Sequence, residues 1–195
     1  IQRLVITSAS EAEGKTTTAA NLAVTFAQQG VRVLLVDCDL RRPQIHNTFG
    51  VLRSPGITEL VLGHDTAADA VRETAVEGLH VLPSGTLPPN PSELLGGERV
   101  QEVLDDLGRG YDMVILDTPP LLAASDAAIL GSRSDGVVLV VRAGQTEKGA
   151  AQQAVEQLHV VGARILGAVL NDPDAKVPQY GGHYYYHKYY GEESA

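Results

Sequence analysis

A glycine, a lysine and a threonine stand in line after an apolar run, in "TSASEAEGKTTTAANLA" (7–23), and together they suit phosphate binding. Where a strand runs into a loop ending Gly-Lys-Thr and then into a helix, backbone N–H groups and the helix N-terminus surround phosphate oxygens. Lys15 then compensates their charge, and Thr16 can ligate magnesium. The expected nucleotide-binding residues are Ala9, Ser10, Glu11, Ala12, Glu13, Gly14, Lys15, Thr16 and Thr17. Ala9 stands where the usual pattern has glycine, so the standard motif is broken by one methyl group.

Acidic residues close two other apolar runs. "VLLVDCDLRRP" (33–43) puts Asp37 and Asp39 just past a buried strand. Alternation there sends both carboxylates one way and Cys38 the other, as a small packed residue. "MVILDTPP" (113–120) puts Asp117 at the end of another strand. In a parallel sheet such carboxyl ends converge on one crevice, so the three carboxylates are expected to meet Lys15 and Thr16 there. Taken singly, each also fits a helix cap or a solvated loop charge. Clustered, they repel one another and require a cation, which makes Thr16, Asp37, Asp39 and Asp117 the expected magnesium residues of a magnesium-nucleotide site. Arg41 and Arg42, next in line, can reach phosphate, a partner subunit or water.

A third reactive group lies near the other end of the chain. "YGGHYYYHKYYGEESA" (180–195) holds six of the seven tyrosines: Tyr180, Tyr184, Tyr185, Tyr186, Tyr189 and Tyr190. Tyrosine usually stabilises a protein by burying its ring and bonding its hydroxyl, but a stretch without leucine, isoleucine or valine cannot order six rings around a core. It reads either as a sticky tail or as a set of accessible phenols.

The elements that must position these groups follow from hydrophobic periodicity. "RLVIT" (3–7), "RVLLVD" (32–37), "HVLPS" (80–84), "MVILD" (113–117), "GVVLVV" (136–141) and "ILGAVLN" (165–171) read as strands buried on both faces. Ala19, Ala23, Phe26 and Ala27 line one side of a helix over about 16–29, which Gly30 stops. Leu94, Val100, Val103, Leu104 and Leu107 mark helical turns after a proline-rich loop, "SGTLPPNPSELL" (84–95), with Pro91 suited to a first turn. Ala151, Ala154, Val155 and Leu158 mark another helix, and the stretch 50–78 is less regular. Strand and helix in alternation give an α/β fold: a mostly parallel P-loop NTPase sheet with helices on both faces. The expected organisation is one folded domain over 1–175 and a tyrosine-rich flexible tail over 176–195.

Composition narrows the partners. The chain has 195 residues, 15 basic against 24 acidic, a net charge of −9 and 44% hydrophobic residues. That suits a single globular domain and argues against nucleic acid as a partner. One cysteine excludes an internal disulfide framework and fits a reducing compartment. No run approaches the roughly 20 apolar residues of a membrane span, no signal peptide opens the chain, and the missing initial Met is expected of a piece of a longer protein.

The phosphate loop, "VLLVDCDLRRP", "LPPNPSELL", "YDMVILDTPPLLAASDA" and the tyrosine cluster together resemble the cytoplasmic domain of the bacterial tyrosine kinases of polysaccharide assembly. The resemblance covers nearly the whole chain. The nucleotide motifs are shared with the deviant-Walker ATPases of chromosome partition and division-site placement, whereas the proline-rich stretch and the tyrosines are specific to the kinases. It implies ATP and Mg2+ as cofactors and autophosphorylation of tail tyrosines between neighbouring subunits of a homo-oligomeric ring. It also implies a membrane polysaccharide co-polymerase, fused or separate, a protein-tyrosine phosphatase as counterpart, and a cytoplasmic site at the inner face of the membrane. Residues 9–16 then correspond to the Walker A loop, Asp37 and Asp39 to Walker A′, and Asp117 to Walker B. Lys15, Asp37 and Asp39 are the expected catalytic residues. Phosphoryl transfer needs mainly positioning and charge neutralisation, and a carboxylate near the incoming phenol serves as base; Asp37 is the first candidate for that role and equally suits the metal shell. Asn171, closing the last strand, stands where related ATPases contact adenine, although Asn-Asp-Pro also makes a turn.

Two departures qualify the resemblance. Family loops commonly read Pro-Gly-Glu-Gly-Lys where this chain has Glu11-Ala12-Glu13-Gly14-Lys15. If the replaced glycine needs positive φ, Ala12 costs on the order of 1 kcal/mol, and Glu11 adds negative charge near phosphates. An arginine-bearing helix that helps family members assemble lies ahead of the first residue here. Ser10 stands where partition-type ATPases carry a signature lysine, which argues against a hydrolytic switch. A scaffold with a weakened nucleotide site is the remaining alternative.

Overall fold

The continuous valine, isoleucine and leucine runs over 3–8, 33–37 and 113–117 become strands buried almost throughout, as runs without polar alternation must be in a sheet covered on both sides. The run over 165–171, expected to be buried as well, lies instead at the edge of the sheet and is largely exposed, Leu170 by 60%. The computed structural model describes residues 2–172. In chain order its elements are β1 (Arg3–Ser8), α1 (Lys15–Gln28), β2 (Val33–Asp37), α2 (Ile45–Phe49), α3 (Ile57–Leu62), α4 (Ala67–Ala70), β3 (Arg72–Glu73), β4 (Leu79–Leu82), α5 (Pro91–Gly96), α6 (Glu98–Gly108), β5 (Met113–Asp117), α7 (Asp126–Gly131), β6 (Gly136–Arg142), α8 (Lys148–Val160) and β7 (Ile165–Asn171). The strands form one seven-stranded sheet in the order β3-β4-β2-β5-β1-β6-β7. Every pair is parallel except β3 with β4. The chain winds outward from β1 to β2 and β4, returns to insert β5 between β2 and β1, and then crosses to β6 and β7. That reversal opens a crevice at the carboxyl ends of the central strands.

Alternation along the strands divides the core between two faces. Leu4, Ile6, Val33, Leu35 and Ile115 pack against Ala19, Ala20, Ala23 and Ala27 of α1. On the other face, Val5, Leu34, Val36, Val114 and Leu116 join Leu60, Leu95, Leu104, Leu130 and Leu158 from α3, α5, α6, α7 and α8. The alanine row lets α1 lie close on the sheet, which fixes its N-terminus directly beyond the end of β1.

Three further local features differ from the sequence expectation. β3 has two residues, too few to leave a pattern. The helical turns over 91–107 fall in two helices, because Gly97 is extended (φ −67°, ψ 159°) between α5 and α6. α7, inside "SDAAILG", is too short for its period to stand out. No helix among the described residues is long and apolar enough to cross a membrane.

Within the irregular stretch, Glu59 acts as a buried clip. Its carboxylate accepts hydrogen bonds from Gly56 N (2.8 Å), Ser54 Oγ (3.1 Å) and Thr86 N (2.9 Å), joining α3 to the start of the proline-rich loop. Burial alone would raise this carboxyl, but the bonds from Thr86 and Gly56 outweigh it and hold the group at about 2. Glu59→Ala leaves buried N–H groups without an acceptor and is expected to cost about 2 kcal/mol in urea denaturation at neutral pH. The folded-state value lies below the ordinary 4.5, so the stabilisation is complete above that pH and lost as pH falls toward 2. Glu59→Gln is expected to flatten this acid limb.

Candidate active site

The phosphate loop owes its shape to one glycine and one strained alanine. Gly14 caps α1 with φ 94°, no side chain caps the helix, and no acidic residue lies in its first turn. The leading N–H groups of α1 are therefore left to an anionic ligand. A Cβ on Gly14 would lie 2.0 Å from Asn171 Nδ2, so glycine is required for space as well as for φ. Ala12 has φ 60°, the left-handed conformation that costs a residue bearing Cβ roughly 1–2 kcal/mol. Ala12→Gly is expected to raise stability by about 1 kcal/mol, less what glycine's extra freedom in the unfolded chain removes; thermal melting checks this. Ala9 is fully buried within the apolar core, so its extra methyl is absorbed by packing.

The loop's acidic residues have separate fates. Glu13 is 1% exposed and accepts bonds from Ser10 N (3.0 Å) and Thr146 Oγ1 (2.6 Å), bracing the loop from within. Glu11 points outward to Arg42 at 2.5 Å, which compensates its charge. Thr17 is exposed in the first turn of α1.

At the crevice, Lys15 Nζ lies 2.8 Å from Asp39 Oδ2 and 3.9 Å from Asp117 Oδ1. It also donates to Thr16 Oγ1 at 3.2 Å, and Thr16 Oγ1 donates to Asp117 Oδ2 at 2.7 Å. Asp37 and Asp117 are register partners on β2 and β5, which explains why residues 80 apart in sequence meet. Asp37 Oδ1 accepts Asp39 N (3.3 Å), and its Oδ2 accepts Gln44 N (3.1 Å) and Ile45 N (3.0 Å) at the start of α2. Asp39 Oδ1 in turn holds the N–H groups of Arg41 and Arg42. Burial, then repulsion by Asp117, raises Asp37 to about 8 against the pull of its backbone bonds. Burial likewise raises Asp117 to about 6 although Lys15 and Thr16 oppose it. Burial disfavours the Lys15 ammonium, but Asp117 and Asp39 outweigh it and hold its pKa above the ordinary value.

These residues fit a magnesium ion accompanied by phosphate. Asp117 Oδ1 is buried and has no hydrogen-bond partner among the described residues, beside the hydroxyl of Thr16. Magnesium takes one or two such oxygens and completes its octahedron with water and substrate phosphates. Accordingly, no group of three or more His, Cys, Asp or Glu among the described residues is disposed to hold a metal alone.

The remaining candidates divide. Arg41 Nε pairs with the fully buried Asp126 at 3.1 Å and its Nη2 donates to Ser92 Oγ at 2.9 Å, so it ties the loop after β2 to α5 and α7. Cys38 is buried and free. Asn171 Nδ2 donates to Glu13 O at 3.0 Å and so reaches the phosphate loop's backbone. Tyr180, Tyr184, Tyr185, Tyr186, Tyr189 and Tyr190, and the boundary at 175, lie outside the described residues. Sequence reading did not single out Asp126, Arg142 or Thr146: their contacts with Arg41, Ala12 and Glu13 span 85 or more residues, and no local pattern announces them.

A glycine-gated helix N-terminus, a lysine and a threonine before converging carboxylates, all on a doubly wound parallel sheet, define a P-loop NTPase-type protein. The family described as "AAA domain" matches residues 5–166. Tyrosine-protein kinase YwqD of Bacillus subtilis (strain 168) is 46% identical over 182 residues, 93% of this chain and 77% of the relative. Among solved structures, the kinase domain of Escherichia coli tyrosine kinase ETK superposes with a TM-score of 0.85 at 36% identity, covering 93% of this chain and 72% of that one. The septum site-determining protein MinD complexed with Mg-ADP, from Pyrococcus horikoshii OT3, gives 0.70 at 26% identity over 87% of this chain and 69% of that one. The chain belongs to the bacterial tyrosine-protein kinases, and its activity is protein-tyrosine phosphotransfer.

Proposed function

We propose that this domain autophosphorylates, passing phosphate from ATP to its own terminal tyrosines (180, 184, 185, 186, 189 and 190), in trans between subunits. The observation that carries this reading is the Lys15–Thr16–Asp39–Asp117 constellation at an uncapped helix N-terminus, in a chain with six tyrosines clustered at its end. Residues 9–17, with Asn171, would bind the nucleotide, and Thr16 and Asp117, supplemented by Asp37 or Asp39, would hold Mg2+. When bound, the metal supplies charge neutralisation on the phosphates. Lys15 leaves its carboxylate partners to meet phosphate oxygens, and the N–H groups of α1 orient them. Asp37 is the first candidate to accept the tyrosine proton; burial raises it to about 8 in the metal-free protein, so it would serve as base only once Mg2+ favours its ionised form.

The same proposal places the kinase at the inner face of the membrane through an upstream segment or a co-polymerase partner. There it assembles as a homo-oligomer, regulates polysaccharide polymerisation and export, and is reversed by a protein-tyrosine phosphatase. Each phosphate adds about −1.5 to −2 charges, and on an already acidic chain this repulsion favours disassembly. Incubation of the purified chain with magnesium and ATP, followed by phosphotyrosine blotting, tests the reading. Signal that disappears when the six tail tyrosines are changed to phenylalanine supports it; ATP hydrolysis without phosphotyrosine supports a partition-type switch.

A further inference from the structure

Two non-glycine residues among those described have left-handed backbone, Ala12 (φ 60°) and Asp172 (φ 53°). One side chain holds both. Arg142, the last residue of β6, donates from Nη1 to Ala12 O at 3.2 Å. It also donates from Nη2 and Nε to Asp172 Oδ2 at 2.8 and 3.1 Å. Its own N–H donates to Thr146 Oγ1, which donates to Glu13 Oε1, so the same residue reaches the loop by a second route. Asn171, next to Asp172, supplies the third tie, to Glu13 O.

We infer that Arg142 is a positioning residue for phosphotransfer: it holds the phosphate loop in its binding conformation by fixing Ala12 in a backbone geometry that alanine disfavours. The inference rests on the reading of residues 9–17 as the nucleotide loop. Alanine resists φ near 60° because its Cβ crowds the carbonyl, whereas glycine adopts it freely. A loop with alanine at this position therefore relaxes once its external tie is cut, and its backbone is no longer held for phosphate. The planar guanidinium suits this duty, because its fork can address a carboxylate and a carbonyl at once, which a lysine ammonium does with less geometric control. Arg142 touches no reacting atom, so it acts through the loop alone.

The test is a double-mutant cycle on the whole chain, read by binding of a fluorescent ADP analogue with Mg2+ and by thermal melting. Arg142→Met is expected to weaken binding about fivefold, the equivalent of roughly one charged hydrogen bond at a half-exposed site. In the Ala12→Gly background the same change is expected to weaken binding by less than about twofold, since glycine keeps the conformation unaided. Arg142→Lys should fall between them, which guards against a Met variant that fails to fold. Equal losses with alanine and with glycine at position 12, or no loss in either, overturn the inference. Absence of nucleotide binding by the unaltered chain overturns the nucleotide reading itself and the inference with it.

Discussion

Lys15→Met is expected to lower tail phosphorylation by on the order of 100- to 1,000-fold, the range seen when one preorganised charge-stabilising group is removed from a transition state. Phosphoryl transfer gives the protein little covalent chemistry to perform, so a lost charge on the phosphates is not easily replaced. The same change acts on the empty protein. Lys15 stands between Asp39 and Asp117 at 2.8 and 3.9 Å, and its removal leaves buried carboxylates facing one another. Breaking a buried pair by deleting one partner commonly costs about 3–5 kcal/mol; with 12% of the Lys15 side chain exposed to solvent, the lower end applies. Asp117 stands at about 6 with Lys15 holding it down against burial, and without Lys15 it rises further, so the melting-temperature deficit is expected to be larger at pH 8 than at pH 5, where protonation removes one of the facing charges. Melting curves at the two pH values, beside a phosphotyrosine assay, check both halves.

Asp117→Asn is expected to move stability and activity in opposite directions. Asparagine keeps the size of the side chain and can accept the bond from Thr16 Oγ1 while removing one of the charges that raise Asp37. Both Asp37, at about 8, and Asp117, at about 6, titrate above the ordinary 3.8. Such groups contribute stability in full below about 3.8, and it is lost as pH rises through the folded values. The unliganded protein is therefore expected to be more stable at pH 5 than at pH 8. Asp117→Asn should narrow that difference and raise stability at pH 8 by about 1 kcal/mol. Magnesium-dependent phosphorylation should meanwhile fall by at least about 100-fold, because the buried oxygen suited to the metal is gone. A variant that loses stability at pH 8 contradicts the proposed crowding of charge.

Much of this architecture was legible because chemistry and burial leave local marks. Val33–Asp37 and Met113–Asp117 announced buried strands by their unbroken apolar runs, and their terminal aspartates then had to share an edge of the sheet. The Gly-Lys-Thr step announced a phosphate loop because few other needs place those residue types after a strand. Ala12 was legible conditionally, as a residue in a glycine's place, and its φ of 60° meets that condition. What escaped were features made by distance. Arg142 reads as an ordinary strand end until β6 brings it beside Ala12, 130 residues earlier. Asp126 lies in a stretch with no helical period of its own, and only the fold brings Arg41 to it. Glu13 reads as another charge near the phosphates, and only the fold turns it inward to Ser10 and Thr146. Gly97 did leave a mark, since the buried Leu95 and Val100 lie about 140° out of step on one continuous helix.

Intact-mass and peptide mass spectrometry of the purified chain after incubation with magnesium and ATP measures the central claim most directly. The proposal predicts phosphate-sized mass increments confined to tyrosines at 180, 184, 185, 186, 189 and 190, absent from Lys15→Met and restored when that variant is mixed with the active chain lacking its own tail tyrosines. A chain that binds and consumes ATP yet gains no phosphate on those tyrosines contradicts it.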